Sequence, residues 1–237
     1  MSGSSVVIDC FPESVQHYKK GYAVVAIDVI RATTTAITAI ASGRRCFFSP
    51  SIEGAIYLAK HLDNPLLVGE LGGNMPYGFD LNNSPAEIAA LADIMRPMIL
   101  VSTSGTQLFQ NVGDCDAGYV ACFRNYGATT DYLIKRHSHV AVIGAGSRGE
   151  FRDEDQMCCA WIAEGLMKAG YKSENDRTTE VVNRWRGASV EACTLGNSAE
   201  YLRKSGQIRD LEFILAHVND LDSAFMVRHD EIVRIPS

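Results

Sequence analysis

AVVAIDVIRATTTAITAIASG, residues 23–43, is the stretch whose reading decides the fold. Residues 23–30 are apolar at every position except Asp28. A run of this kind, without alternation, suits a strand covered on both faces. From Ala36 onward the apolar positions fall at helical spacing, and Gly43 stands where a C-cap belongs. A buried strand passing straight into a helix opens an α/β unit. At the junction stand Asp28, Arg31, Thr33, Thr34 and Thr35. A helix N-terminus offers free N–H groups and a positive dipole end to an anion. An arginine adds a planar fork matched to phosphate or sulfonate oxygens. The plain alternative makes Thr33 or Thr34 an N-cap and Arg31 a surface charge. Asp28 resists that alternative, because a buried carboxylate is costly without a partner or a metal.

Outward from this segment the pattern recurs. Short apolar runs at 6–8, 45–48, 66–68, 98–102, 118–121 and 140–143 read as strands. Between them, 33–41, 52–61, 85–92, 107–111, 128–137 and 153–169 read as helices. Ser84-Pro85-Ala86-Glu87 carries an N-cap, an N1 proline and a capping-box glutamate, and Gly170 suits a second C-cap. Residues 174–221 read mostly helical, and 224–235 as two strands around 228–230. The expected fold is α/β, a three-layer α/β/α arrangement on a mixed, largely parallel sheet. No linker divides the chain, so residues 1–237 are expected to form one domain. The strand–hydroxyl turn–helix pattern occurs twice, at IDVIRATTT and ILVSTSGT, which allows for two similar halves.

Composition bounds the function. Of 237 residues, 46% are hydrophobic and 21% charged, which suits a soluble globular chain with a full core. A net charge of −6 argues against a nucleic-acid partner, which calls for a basic face. The absence of 18 consecutive apolar residues argues against a membrane span. Seven cysteines without a C-x-x-C pair read as free buried thiols of a cytoplasmic protein. The N-terminus carries no signal-peptide pattern. His17, His61, His137, His139, His217 and His229 lack ligand spacing and read as structural or surface groups.

Ligands of α/β sheets bind at the carboxyl ends of strands. Besides residues 28–35, four such segments are dense in polar groups. VGELGG, 68–73, places Glu70 before two glycines, and YGFDLNNSP, 77–85, places Asp80, Asn83 and Ser84 before a helix. STSGT, 102–106, offers Ser104, Gly105 and Thr106 as a phosphate cradle or as a simple turn. VAVIGAGSRGEFRDED, 140–155, contains G-x-G-x-x-G at Gly144, Gly146 and Gly149. A dinucleotide site needs a second strand ending in an acid about 20 residues on, and none follows. An NAD(P)-binding oxidoreductase therefore stands as an alternative, as does a non-catalytic anion-binding module. Asp153, Glu154 and Asp155 could offset a helix dipole or hold a hard cation. No P-loop is present. The aspartyl-phosphatase pattern D-x-D fails, because Ile30 stands at its second aspartate. Carboxylates, hydroxyls and few histidines favour Mg²⁺ over zinc or copper.

Together these segments resemble, in order and wording, the 2-phosphosulfolactate phosphatase family. That family's D-V-x-R-A-T-T-T is matched at 28–35, its G-E-x-G-G at 69–73, and its G-F-D-x-x-N-S-P at 78–85. A hydroxyl-rich T-x-G-T corresponds to 103–106, and a glycine-rich turn leading to E-D corresponds to 144–155. The D-L-E-F at 210–213 is also similar. Four positions depart from the pattern: Leu71 replaces an arginine, Ser102 a threonine, Ser104 an asparagine, and Asp153 a leucine. The resemblance implies a Mg²⁺-dependent phosphatase acting on a small-molecule phosphate ester, 2-phospho-3-sulfolactate. In methanogens that step serves coenzyme M synthesis. On this reading Asp28, Arg31, Asp80 and Glu154 are catalytic, and Asp28, Glu70 and Asp155 bind metal. Arg31, Thr33, Thr34, Thr35, Asn83, Ser84, Ser104, Gly105 and Thr106 bind substrate. A homodimer is left open.

Overall fold

A computed structural model describes residues 3–235; residues 1–2 and 236–237, part of the expected single domain, lie outside the described residues. The first half of the chain runs β1 (Ser5–Cys10), β2 (Ala23–Ile27), α1 (Ala32–Ala41), β3 (Cys46–Phe48), α2 (Ile52–Ala59), β4 (Leu66–Gly69), α3 (Pro85–Ala90), β5 (Met98–Val101), α4 (Gly105–Gly113) and β6 (Ala117–Ala121). There follow α5 (Tyr126–Ile134), β7 (His139–Gly144), α6 (Asp153–Lys168), β8 (Lys172–Ser173), α7 (Asp176–Trp185), α8 (Asn197–Lys204), α9 (Ile208–Ala216), β9 (Ala224–Arg228) and β10 (Glu231–Ile235). Every strand and helix anticipated before residue 170 forms, with ends shifted by a few residues. The Ser84 N-cap and both glycine C-caps form, but the capping box does not, because the Ser84 N–H donates to the Asn82 carbonyl instead of the Glu87 carboxylate. Ser84 Oγ accepts from the Glu87 N–H, and Gly43 and Gly170 take left-handed conformations after α1 and α6.

All ten strands join one sheet in the order β4-β5-β3-β10-β9-β6-β2-β7-β1-β8. It is built from two parallel blocks, β4-β5-β3 and β6-β2-β7-β1-β8. The β9–β10 hairpin joins them through antiparallel pairs on both sides. The blocks therefore run in opposite senses, which would put their carboxyl ends at opposite edges of a flat sheet. Sheets twist by roughly 20–25° per strand pair. Over the pairings between β5 and β2 the twist accumulates to about 100°, and the carboxyl ends of β2 and β5 meet.

The core follows the pleat. On β2, Val24 and Ala26 join the layer holding α1 and α4, while Ala23, Val25 and Ile27 face the layer holding α6 and α7. Every residue of β2 is buried, as its unbroken apolar run requires. A smaller cluster packs α2 against Phe47, Ile99 and Val101 on the outer face of the other block. Helices thus cover both faces in three layers. All seven cysteines are free thiols and six are buried. Among the described residues no helix is long and apolar enough to cross a membrane.

Candidate active site

Strand β2 ends at Ile27, so Asp28 lies just past it, in the turn leading into α1. The turn is closed by its own hydroxyls. Thr33 Oγ1 donates to the Asp28 carbonyl and accepts from the Asp28 N–H, and Thr34 Oγ1 donates to the Val29 carbonyl. The turn after β5 repeats the device. Thr106 Oγ1 donates to the Ser102 carbonyl and accepts from the Ser102 N–H. These local bonds compete successfully with an N-cap role. The two turns meet: a Cβ on Gly105 would stand 2.4 Å from Asp28 Oδ2 and from the Ala32 methyl. Only glycine allows that approach.

A cleft of about 380 Å³ opens over this junction. Its floor is Asp28, Ile30 and Arg31, and one wall is Glu70, Gly72, Gly73, Thr103 and Ser104. The facing wall is the 146–152 loop with Asp155 of α6, and α8 contributes Asn197, Ser198, Tyr201 and Leu202. Tyr201 donates its hydroxyl to the Gly73 carbonyl (2.6 Å), tying α8 to the first wall.

Arg31 follows a cis peptide bond from Ile30 and is 5% exposed. Its Nη1 donates to Asp210 Oδ2 at 2.5 Å, and its Nη2 to Asn82 Oδ1 at 3.3 Å. Asp210 also accepts from Ser84 Oγ (2.5 Å) and the Ala86 N–H (3.2 Å). The guanidinium is thereby fixed, and Arg31 lines the cleft.

Opposite it lie acids. Asp28 Oδ1 accepts from the Ala32 N–H (3.1 Å), and Asp155 Oδ1 from the Val29 N–H (2.8 Å). Burial raises the Asp28 carboxyl to about 6, aided by the Glu70 charge, although the Ala32 N–H and Arg31 oppose it. Burial likewise raises Glu154 to about 7 against the neighbouring Ser198 hydroxyl, with the Asp28 charge adding to it. Asp155 is raised well above the carboxylate range by burial and by the charges of Glu154 and Asp28. Each acid thus resists ionisation partly because its neighbours would ionise too. Glu154 Oε2 and Asn83 Oδ1 are buried without a hydrogen-bond partner. A cation or a hydrogen-bond donor would satisfy such acceptors. Among the described residues no three His, Cys, Asp or Glu side chains converge as a closed metal cage. Mg²⁺ does not need one, since one or two carboxylates with water and substrate phosphate suffice. Asp28 and Asp155 fit that open mode.

The structure brings together Asp28, Arg31, Glu70, Asn83, Ser104 and Asp155 on the cleft. Glu154 is fully buried behind it. Several expected binding groups are elsewhere. The Thr33, Thr34 and Thr106 hydroxyls bond to backbone, and Thr35 Oγ1 is buried without a partner. Ser84 is occupied as cap and Asp210 donor, and Gly105 serves by its missing Cβ. Asp80 does not join the acids: it accepts from the Leu67 N–H and pairs with Arg96, bracing β4. Glu70 accepts from the Gly73 N–H and from both the N–H and hydroxyl of Thr103, so its carboxylate braces the wall. Leu71 is not on the cleft; its N–H and carbonyl pair with Asn74. Asp210 and the α8 residues went unassigned by the sequence reading, though D-L-E-F at 210–213 pointed to the first.

The glycine loop does not form a dinucleotide site. Phe151 fills the space beside Gly144 and Phe11 the space beside Gly146. The helix that follows opens with Asp153, Glu154 and Asp155, where a pyrophosphate would have to lie. The cleft instead gathers a fixed guanidinium and buried carboxylates, a set that suits the phosphoric monoester hydrolases among which its relatives fall. The profile of the 2-phosphosulpholactate phosphatase family matches residues 9–229, and the chain belongs to that family. Several relatives bear the name probable 2-phosphosulfolactate phosphatase, three of them as follows. That of Carboxydothermus hydrogenoformans is 36% identical, over 90% of this chain and 88% of the relative. That of Pseudothermotoga lettingae is 35% identical over 71% and 67%, and that of Synechococcus sp. 33% over 72% and 74%.

Proposed function

We propose that this chain is a Mg²⁺-dependent phosphatase that hydrolyses 2-phospho-3-sulfolactate to 3-sulfolactate and phosphate. The supporting observation is that Arg31, fixed by Asp210, lines one cleft with Asp28 and Asp155. Asp28 and Asp155 would hold Mg²⁺, which when bound supplies positive charge to the phosphoryl oxygens. Arg31 gives its remaining N–H donors to those oxygens, where charge develops during transfer. Because Asp210 has already oriented it, Arg31 needs no reorganisation as that charge appears. Burial raises the Glu154 carboxyl to about 7, and it lies beside the Ser198 hydroxyl of the cleft wall. A proton held there can pass through Ser198 to the leaving alkoxide oxygen. Glu70 holds the opposite wall in place through Gly73 and Thr103.

The test is phosphate release from 2-phosphosulfolactate with Mg²⁺ and with EDTA, beside a panel of phosphorylated hydroxy acids. Metal-dependent release favouring the sulfonate is expected. Release from other esters alone would move the substrate and keep the chemistry. No release from any ester would overturn the reading.

A further inference from the structure

The tip of the β7–α6 loop is a closed two-residue turn. Ser147 and Glu150 exchange backbone hydrogen bonds at 2.9 and 3.0 Å. Between them Arg148 and Gly149 both take positive φ, +51° and +75°. That is the pattern of a type I′ turn, a two-residue reversal that requires positive φ at both central residues. The root of the loop is pinned as well, since a Cβ on Gly146 would meet the Phe11 ring at 2.6 Å. Arg148 thus sits at a left-handed position that favours glycine, and it lines the cleft from its exposed rim.

Three guanidiniums line the cleft. Arg31 is paired with Asp210 at 2.5 Å, and Arg152 with Glu150 at 2.5 Å. Among the described residues Arg148 forms no ion pair, although four carboxylates, Asp28, Glu70, Glu150 and Asp155, line the same cleft. The deep end of the cleft is occupied by Arg31 and Asp28, both nearly inaccessible. A monoester whose phosphoryl group engages that end must send its alcohol portion toward the rim.

We propose that Arg148 is a specificity residue, reading a second anionic group, carboxylate or sulfonate, on the alcohol portion of the ester. This rests on the phosphatase reading of the cleft. A planar guanidinium takes either anion through two parallel N–H donors. Free of a protein partner, it gives up no existing ion pair to do so. A neutral alcohol portion gains nothing from it.

The test uses Arg148→Ala and Arg148→Lys against three substrates: 2-phosphosulfolactate, 2-phospholactate and propyl phosphate. Arg148→Ala should lower kcat/KM for 2-phosphosulfolactate roughly 10- to 100-fold, mainly through KM, as loss of a charge-assisted contact implies. Propyl phosphate should change less than about twofold, and Arg148→Lys should recover part of the loss. An equal loss on 2-phospholactate assigns the contact to the carboxylate; a loss confined to the sulfonated ester assigns it to the sulfonate. Equal loss on propyl phosphate, or no loss on any ester, overturns the proposal. Calorimetric titration of the three esters separates this from turnover. Anion-selective weakening in Arg148→Ala without hydrolysis by the parent protein would sink the phosphatase reading and leave Arg148 standing. Binding that the substitution leaves unaltered would sink Arg148 alone.

Discussion

Removing the Asp210 carboxylate, as Asp210→Ala, should unfold this protein more readily than most single changes. Asp210 is 2% exposed and Arg31 5%, and their charged atoms stand 2.5 Å apart. Truncation leaves the guanidinium buried with one remaining acceptor, Asn82 Oδ1 at 3.3 Å. Ser84 Oγ and the Ala86 N–H lose their acceptor in the same change. Breaking a buried pair from one side costs about 3–5 kcal/mol. For a chain of this size, at roughly 2–4 °C per kcal/mol, the melting temperature should fall by about 6–20 °C. Urea denaturation followed by circular dichroism gives the free energy, and calorimetry the midpoint. The double variant Arg31→Met/Asp210→Leu removes both charges and should recover most of the lost stability, but no activity. If Asp210→Ala stays within about 1 kcal/mol of the parent, or the double variant is no more stable than the single, the pair does not act as a buried unit.

Three further outcomes follow from the geometry. Asp28, Glu154 and Asp155 are all raised by burial, so their contribution to stability is complete below their unfolded values, 3.8 and 4.5; that of Asp28 and Glu154 is lost as pH climbs through about 6 and about 7, and that of Asp155 is lost well above the carboxylate range. In EDTA the melting temperature should therefore fall between pH 5 and pH 8, and Mg²⁺ should lessen that fall; a rise over this interval would contradict the placement of the acids. Gly105→Ala puts a methyl 2.4 Å from Asp28 Oδ2 and from Ala32, so it should cost about 1–3 kcal/mol and displace the Asp28 carboxylate, read as a joint loss of stability and rate. Asp80→Asn should keep kcat/KM within about threefold, while Asp28→Asn should lose roughly a hundredfold or more; equal losses would return Asp80 to the site.

How much of this was legible depends on what a local pattern can encode. The apolar run of β2 and the spacing of α1 show directly that a strand passes into a helix, because burial on both faces leaves its mark on every residue. Asp28 and Arg31 stood out for the same reason, as charges where burial penalises charge. The threonines misled because a hydroxyl near a helix start can cap, bind a ligand or close its own turn, and all three leave the same residues in the sequence. Thr33 and Thr106 close turns. Asp80 misled similarly, since nothing local reveals that its Oδ2 accepts from the Leu67 N–H and pairs with Arg96. The α8 wall was invisible because helical spacing identifies a buried face and not the surface that it covers. Convergence of two parallel blocks of opposite sense depends on accumulated twist, a property of the whole sheet.

The β9–β10 hairpin gives this arrangement an order of assembly. It is the latest segment of the described chain, yet it occupies the middle of the sheet, between β3 and β6. As the chain leaves the ribosome, each parallel block can form its own pairs while their shared seam waits unfilled. Both blocks must hold open a strand edge until residues 224–235 arrive, and such edges attract other chains. Asp28 belongs to one block and Ser104 to the other, so the cleft between them comes into being only when the last two strands are inserted.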